Sequence, residues 1–191
     1  LLLNMLDLEH PVCYGLPEHQ PSDVIRWIKE LTGRIIGVNL EAVAEETVDL
    51  PPGRQATVAN AHKAREMGAD LLVITGNPGT TVSNLEIARA VRNIKKEIGE
   101  DLILAAGKMH AAGVLSESGD RIITENEIKA LITAGCDLIL LPAPGTVPGI
   151  TMEYVRSLVK LAHTHEVLTM TTIGTSQEGA DEQTIRNIAL I

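Results

Sequence analysis

Short apolar runs recur along this chain at intervals of about 33 residues. They begin near residues 1, 34, 71, 102, 137 and 167, and each is followed by a helical pattern. This alternation is the strongest constraint on the fold, because strand, helix and strand in succession build a parallel sheet through right-handed crossovers. Two units echo each other: Gly68-Ala69-Asp70-Leu71-Leu72-Val73-Ile74 and Gly135-Cys136-Asp137-Leu138-Ile139-Leu140-Leu141, each with Pro-Gly-Thr shortly after. A short match two units apart is the mark of a repeated βα architecture.

Two folds use such units. A doubly wound open sheet announces itself with GxGxxG after its first strand, and that motif is absent. The repeat length suits a (β/α)8 TIM barrel of about 250 residues, of which six units are visible. The expectation is one barrel domain over residues 1–191, with the first and last strands outside the sequence. Composition agrees: 45% of residues are hydrophobic, with no Phe, one Trp and two Tyr, so the apolar share is aliphatic, as in parallel strands covered by helices.

The elements follow from local signals. Strands are expected at 34–40, 71–75, 102–106, 138–141 and 167–172, after an opening run at 1–6. Val24, Ile25, Trp27, Ile28 and Leu31 form one face of a helix that Gly33 stops, and Trp27 and the helically spaced Met residues read as core. Further helices are expected near 55–67, from Thr81 or Ser83 to Gly99, from the Thr124/Glu127 capping box to Thr133, over 152–163, and from about Asp181.

In a barrel strand the helix-facing positions are apolar, so a polar residue marks the inward side. On that rule Asn4 faces inward, Asn39 carries Gly37 and Glu41 with it, and Thr75 carries Asn77. Lys108 shares its side with Ala106 and His110, and Thr169 and Thr171 point inward while Leu168 and Met170 face the helices. The polar members gather at strand carboxyl ends, where barrel enzymes place their chemistry.

Lys108 lies among Ala and Gly at a strand end, which suits a Schiff-base nucleophile, a proton donor or an anion anchor. His110 suits general acid or base work. Glu41 is a candidate base, or, with Asp7 and Glu9, part of an oxygen-rich Mg²⁺ or Mn²⁺ site. Asn39, Thr75 and Asn77 would orient a substrate. Gly174, Thr175 and Ser176 follow a late strand, at the usual place of a barrel phosphate site. Gly76-Asn77-Pro78-Gly79-Thr80-Thr81 lacks the GK[ST] of a nucleotide P-loop. His163 and His165 read as surface residues.

A net charge of −9 without a basic cluster opposes nucleic acid as a partner. A small anionic metabolite remains compatible, since a few N–H groups hold an anion locally. Cys13 and Cys136 lack metal spacing and read as free cytosolic thiols. No apolar run approaches the roughly 20 residues of a bilayer span, so no membrane partner and a cytoplasmic location are expected. Nothing in the sequence opposes a homo-oligomer.

The run GADLLVITGNPGTTVSNLEIARAVR, with LAAGKMHAAGV and DLILLPAPGTVPGIT after it, resembles a bacterial family of TIM barrels. Members are labelled phosphoenolpyruvate phosphonomutase-like or haloacid dehalogenase-like hydrolase. Neither DxDx[TV] nor a KKCGH-type loop occurs, and GKMH is the nearest counterpart of the latter. Through that counterpart, the resemblance implies that Lys108 and His110 belong to an active-site loop and that a carboxylate-bound Mg²⁺ is used. The leading expectation is lyase or isomerase chemistry by proton transfer on a small phosphorylated or carboxylated metabolite. A metal-assisted hydrolase and a non-catalytic metabolite-binding barrel are the alternatives.

Overall fold

The computed structural model describes residues 1–16, 20–44, 50–76, 82–108, 116, 119–173 and 181–189. Its strands are β1 (Leu2–Leu3), β2 (Gly37–Glu41), β3 (Leu71–Thr75), β4 (Ile103–Gly107), β5 (Leu138–Pro142) and β6 (Leu168–Thr172). The helices are α1 (Val24–Thr32), α2 (Val58–Glu66), α3 (Asn84–Ile98), α4 (Glu125–Ala134), α5 (Met152–Thr164) and α6 (Glu182–Ala189).

The six strands form one sheet in the order β1-β2-β3-β4-β5-β6, and every pair is parallel. Sequential order means that each crossover steps to the next strand in the same direction, so all helices cover one face. The buried residues agree. Val38, Leu40, Leu72, Ile74, Leu104, Ala106, Ile139 and Leu141 pack in one cluster with the apolar faces of α1 to α5. The other face holds a small cluster of Val73, Ala105 and Leu140, flanked by Leu71 and Leu138. A doubly wound sheet would reverse its strand order and carry helices on both faces. The structure is an arc of a βα barrel, with the second cluster on its concave side.

The helix ends follow the local chemistry. Ser83 and Glu86 form a capping box at the start of α3, and Thr124 and Glu127 one at α4. Thr57 and Thr151 cap α2 and α5 by accepting from the backbone amides of Asn60 and Tyr154. Gly33 and Gly135 end α1 and α4 in the left-handed conformation. Among the described residues, no helix is long and apolar enough to cross a membrane.

Several expectations are corrected. Strand β1 is two residues long, and Asn4 lies exposed in the turn beyond it. Leu31 is exposed, as are Met5 and Met170, whereas Met67 is core and Trp27 is half-buried. The β6 faces are reversed: Leu168 and Met170 pair in register with Leu138 and Leu140 on the concave side. Thr169 lies on the helix side, with its hydroxyl 3.4 Å from His163 Nε2 of α5.

Candidate functional site

The carboxyl ends of β2 and β3 present a buried polar group on the concave face. Glu41 pairs in register with Thr75, and Asn39 with Val73, so the inward side expected for all three polar residues holds. Asn39, Glu41 and Thr75 are each less than a tenth exposed. Thr75 Oγ1 donates to Asn39 Oδ1 at 3.0 Å, which fixes both side chains across the strand pair. On β4 the residue beside Thr75 is Gly107. A Cβ there would lie 2.3 Å from the Leu140 carbonyl oxygen, so only glycine admits this approach of β5, and no side chain crowds the site from β4.

The principal partner of Glu41 is Arg54, which the sequence reading did not single out. Arg54 Nη2 donates to Glu41 Oε1 in an ion pair whose side chains are 16% and 6% exposed. The arginine is delivered by a tight turn over Pro52–Arg54, between β2 and α2. Asn60 holds that turn, with Nδ2 donating to Pro52 O at 2.7 Å and Gln55 O at 2.8 Å. Ala56 N donates to Glu41 O at 2.8 Å and ties the end of the turn to β2. A signal existed in the sequence: Arg54 is the sole basic residue between Glu41 and α2, placed after the stiff Pro51-Pro52-Gly53. Among the described residues, Glu41 Oε2 and Arg54 Nε are buried without a hydrogen-bond partner.

Asp7 and Glu9 do not join Glu41 in a ligand set. Asp7 Oδ1 accepts from Glu9 N at 2.8 Å, closing a local turn. This turn packs so tightly on Gly53 that a Cβ there would fall 1.9 Å from Asp7 Oδ1. Leu8 N donates to Gly53 O at 3.1 Å across the same contact. The Asp7 carboxylate and the Glu9 backbone amide thus brace the turn that carries Arg54. Among the described residues, no group of three or more His, Cys, Asp or Glu could hold a metal ion.

Lys108 is buried, 2% exposed, and does not share the side of Glu41 and Thr75. Gly107 takes the concave position, while Ala106, two residues before Lys108, packs in the helix-side core. Lys108 Nζ donates to Val82 O at 2.7 Å, just ahead of α3. Its charge also reaches Glu86, whose carboxyl lies below the usual range. The amide and hydroxyl of Ser83 lower it most, burial opposes them, and Arg89 and Lys108 add to the lowering. The expectation that Lys108 enters the cavity with Asn39, Glu41 and Thr75 is therefore corrected. Beside it, Asn84 Nδ2 donates to Ile122 O at 2.9 Å and to Glu127 Oε1 at 2.8 Å, linking α3 to α4. His110, Asn77, Gly174, Thr175 and Ser176 lie outside the described residues.

A second concavity of about 700 Å³ opens at the β5–α5 connection, lined by residues 144–152 and by Thr184 of α6. It lies at the same carboxyl end of the sheet, and its lining among the described residues includes none of the predicted site residues.

Two solved structures are similar in shape. One, from Coccidioides immitis, is of a protein assigned as a deoxyribose-phosphate aldolase: 19% identity, TM-score 0.44, covering 78% of this chain and 55% of that one. The other, from Roseobacter denitrificans, is of a protein assigned as a racemase: 14% identity, TM-score 0.37, covering 84% and 46%. The chain thus spans about half the length of each. No curated protein matches it in sequence. The match that covers all of residues 1–191 is to a family described as a domain of unknown function, DUF7916, and the chain belongs to that family.

Proposed function

We propose that this chain carries the acid–base residues of a (β/α)8-barrel enzyme that moves a proton on a small carboxylated or phosphorylated metabolite, in lyase or isomerase chemistry. The observation that carries this reading is Glu41 Oε2, a buried carboxylate oxygen at a strand carboxyl end that accepts no hydrogen bond from the described residues. An oxygen that no protein donor occupies is the one available to accept a proton from substrate. Arg54, joined to the other oxygen, supplies positive charge for an anionic substrate or for the negative charge that develops when a carbon acid loses its proton. Asn39 and Thr75, locked to each other, orient the substrate from the adjacent inward positions. Lys108 serves by bracing the connection into α3 rather than by entering the reaction.

Proton transfer is testable before the substrate is known. Incubated in D₂O with a pool of small carboxylated and phosphorylated metabolites, the protein should place deuterium on carbon in at least one of them, read by mass spectrometry. Glu41→Gln should lower that rate by about 10² or more. A folded wild-type protein that yields neither label nor product would leave a binding barrel without catalysis.

A further inference from the structure

We propose that Asn60 is the positioning residue of this site: working through the turn over Pro52–Arg54, its carboxamide keeps the Arg54 guanidinium on Glu41 and so sets the rate at which Glu41 exchanges a proton with substrate. The proposal rests on the reading of Glu41 and Arg54 as the reacting site and adds a residue that acts through the backbone between them.

Asn60 is buried on α2, next to the buried Ala61. A carboxamide in such a place is costly unless its polar atoms are bonded, and an aliphatic side chain would fill the space without that cost. Here the amide bonds two backbone carbonyls, Pro52 O at 2.7 Å and Gln55 O at 2.8 Å. Both of its hydrogens are thereby engaged. The helix fixes Asn60 in turn, since its backbone N–H donates at 3.2 Å to Oγ1 of Thr57, the N-cap of α2.

The two carbonyls belong to the peptide units 52–53 and 55–56, which bracket Arg54 in the chain. The backbone from which the guanidinium reaches Glu41 is therefore held from both sides. The turn has a weaker hold on itself: its closing bond from Gln55 N to Pro52 O is 3.3 Å, beyond the usual length of about 2.9–3.0 Å. Ala56 N on Glu41 O at 2.8 Å and Leu8 N on Gly53 O at 3.1 Å tie the turn to its neighbours, and Asn60 spans the stretch between those ties. A buried ion pair offsets the desolvation of its charges only in good geometry. A misplacement of about 1 Å is enough to slow an oriented reaction.

The placement of Arg54 is read with phenylglyoxal, which condenses with the Nη nitrogens of arginine, the modified peptides being quantified by mass spectrometry. Asn60→Ala removes both bonds, and Asn60→Asp keeps the shape but supplies no donor at neutral pH. Each variant, checked for folding by circular dichroism, should raise modification of Arg54 at least about tenfold, while the exposed Arg89 and Arg92 keep their wild-type rates. Lys108→Ala, destabilised at the start of α3 instead, is the control and should leave Arg54 shielded. Arg54 shielded in both Asn60 variants overturns the proposal. An equal rise in Lys108→Ala does so too, because loss of stability is then the cause. Per folded molecule, deuterium labelling of metabolites should fall about tenfold or more in the Asn60 variants. Labelling that persists while Arg54 is freed overturns the proposal and leaves proton transfer by Glu41 in place. A wild-type protein that labels nothing defeats the proton-transfer reading instead, and Arg54 reactivity alone then decides whether Asn60 places the guanidinium.

Discussion

At the scale of single residues, the pair Gly107 and Lys108 shows how one step along a strand separates two roles. The register with Thr75 puts position 107 on the concave side, and the close approach of β5 there leaves no space for a Cβ. Lys108 falls on the other side and turns its ammonium to the Val82 carbonyl beneath the start of α3. The lysine is thereby a buried brace. Lys108→Ala removes its stem and its hydrogen bond, and should cost about 2–4 kcal/mol in urea unfolding. Lys108→Met keeps most of the volume and should cost about 1 kcal/mol. Unchanged stability in the alanine variant would refute the brace. Arg54 is the converse case. Its identity was plain in the sequence, but its pairing with Glu41 depends on a turn whose path is set by Asn60 and by contact with Asp7 and Glu9.

At the scale of elements, the amino ends of the strands are clasped by a repeated ion pair. Lys29 of α1 reaches Asp70 ahead of β3 at 2.5 Å, Arg65 of α2 reaches Asp101 ahead of β4 at 2.6 Å, and Lys95 of α3 reaches Asp137 ahead of β5 at 3.0 Å. Asp70 and Asp137 also accept from the backbone amides of Ile36 and Leu104. The Gly-Ala-Asp and Gly-Cys-Asp echo was visible in the sequence. What it does was not, because each aspartate bonds to a helix two units back. Burial raises the Asp70 pKa, but the Lys29 hydrogen bond, the Ile36 amide and the Lys29 charge outweigh it, and the carboxyl lies below its ordinary value. A group lowered in this way stabilises the fold above its unfolded pKa of about 3.9 and loses that contribution as the pH falls through the folded value. Asp70→Asn should therefore flatten the decline in stability between about pH 5 and pH 2. An acid limb as steep as that of the wild type would remove Asp70 as a cause. The reversed faces of β6 have an equally physical origin. The concave side is itself apolar toward the amino ends, where Leu71, Leu138, Val73 and Leu140 meet. Polarity alone therefore does not distinguish inside from outside in a strand that alternates Thr with Leu and Met.

At the scale of the whole molecule, one apolar cluster joins the outer face of the sheet to the helices, and Cys136 is part of it. Its thiol is 3% exposed, contacts the carbonyls of Leu138 at 3.0 Å and Leu104 at 3.3 Å, and is pushed up to about 12, chiefly by burial. A thiol raised from about 8.5 favours the folded state below that pH and loses its contribution as the pH climbs toward the folded value. Thiol labelling at pH 8 should accordingly modify the half-buried Cys13 first, and reach Cys136 only at the rate of global unfolding. Simultaneous labelling of both would show that the cluster opens locally. The sequence by itself determined the order of strands and helices, the capped helix ends and the βα repeat, because these depend on residues a few positions apart. The position of Asn39, Glu41 and Thr75 at the inward carboxyl ends was equally legible, since a buried polar residue has few sides to choose from. Only the tertiary structure decided that Glu41 meets Arg54 13 residues on, and that Lys108 turns back 26 residues to Val82. Those choices are made by how neighbouring loops and strands pack, a property that no single stretch of the chain carries.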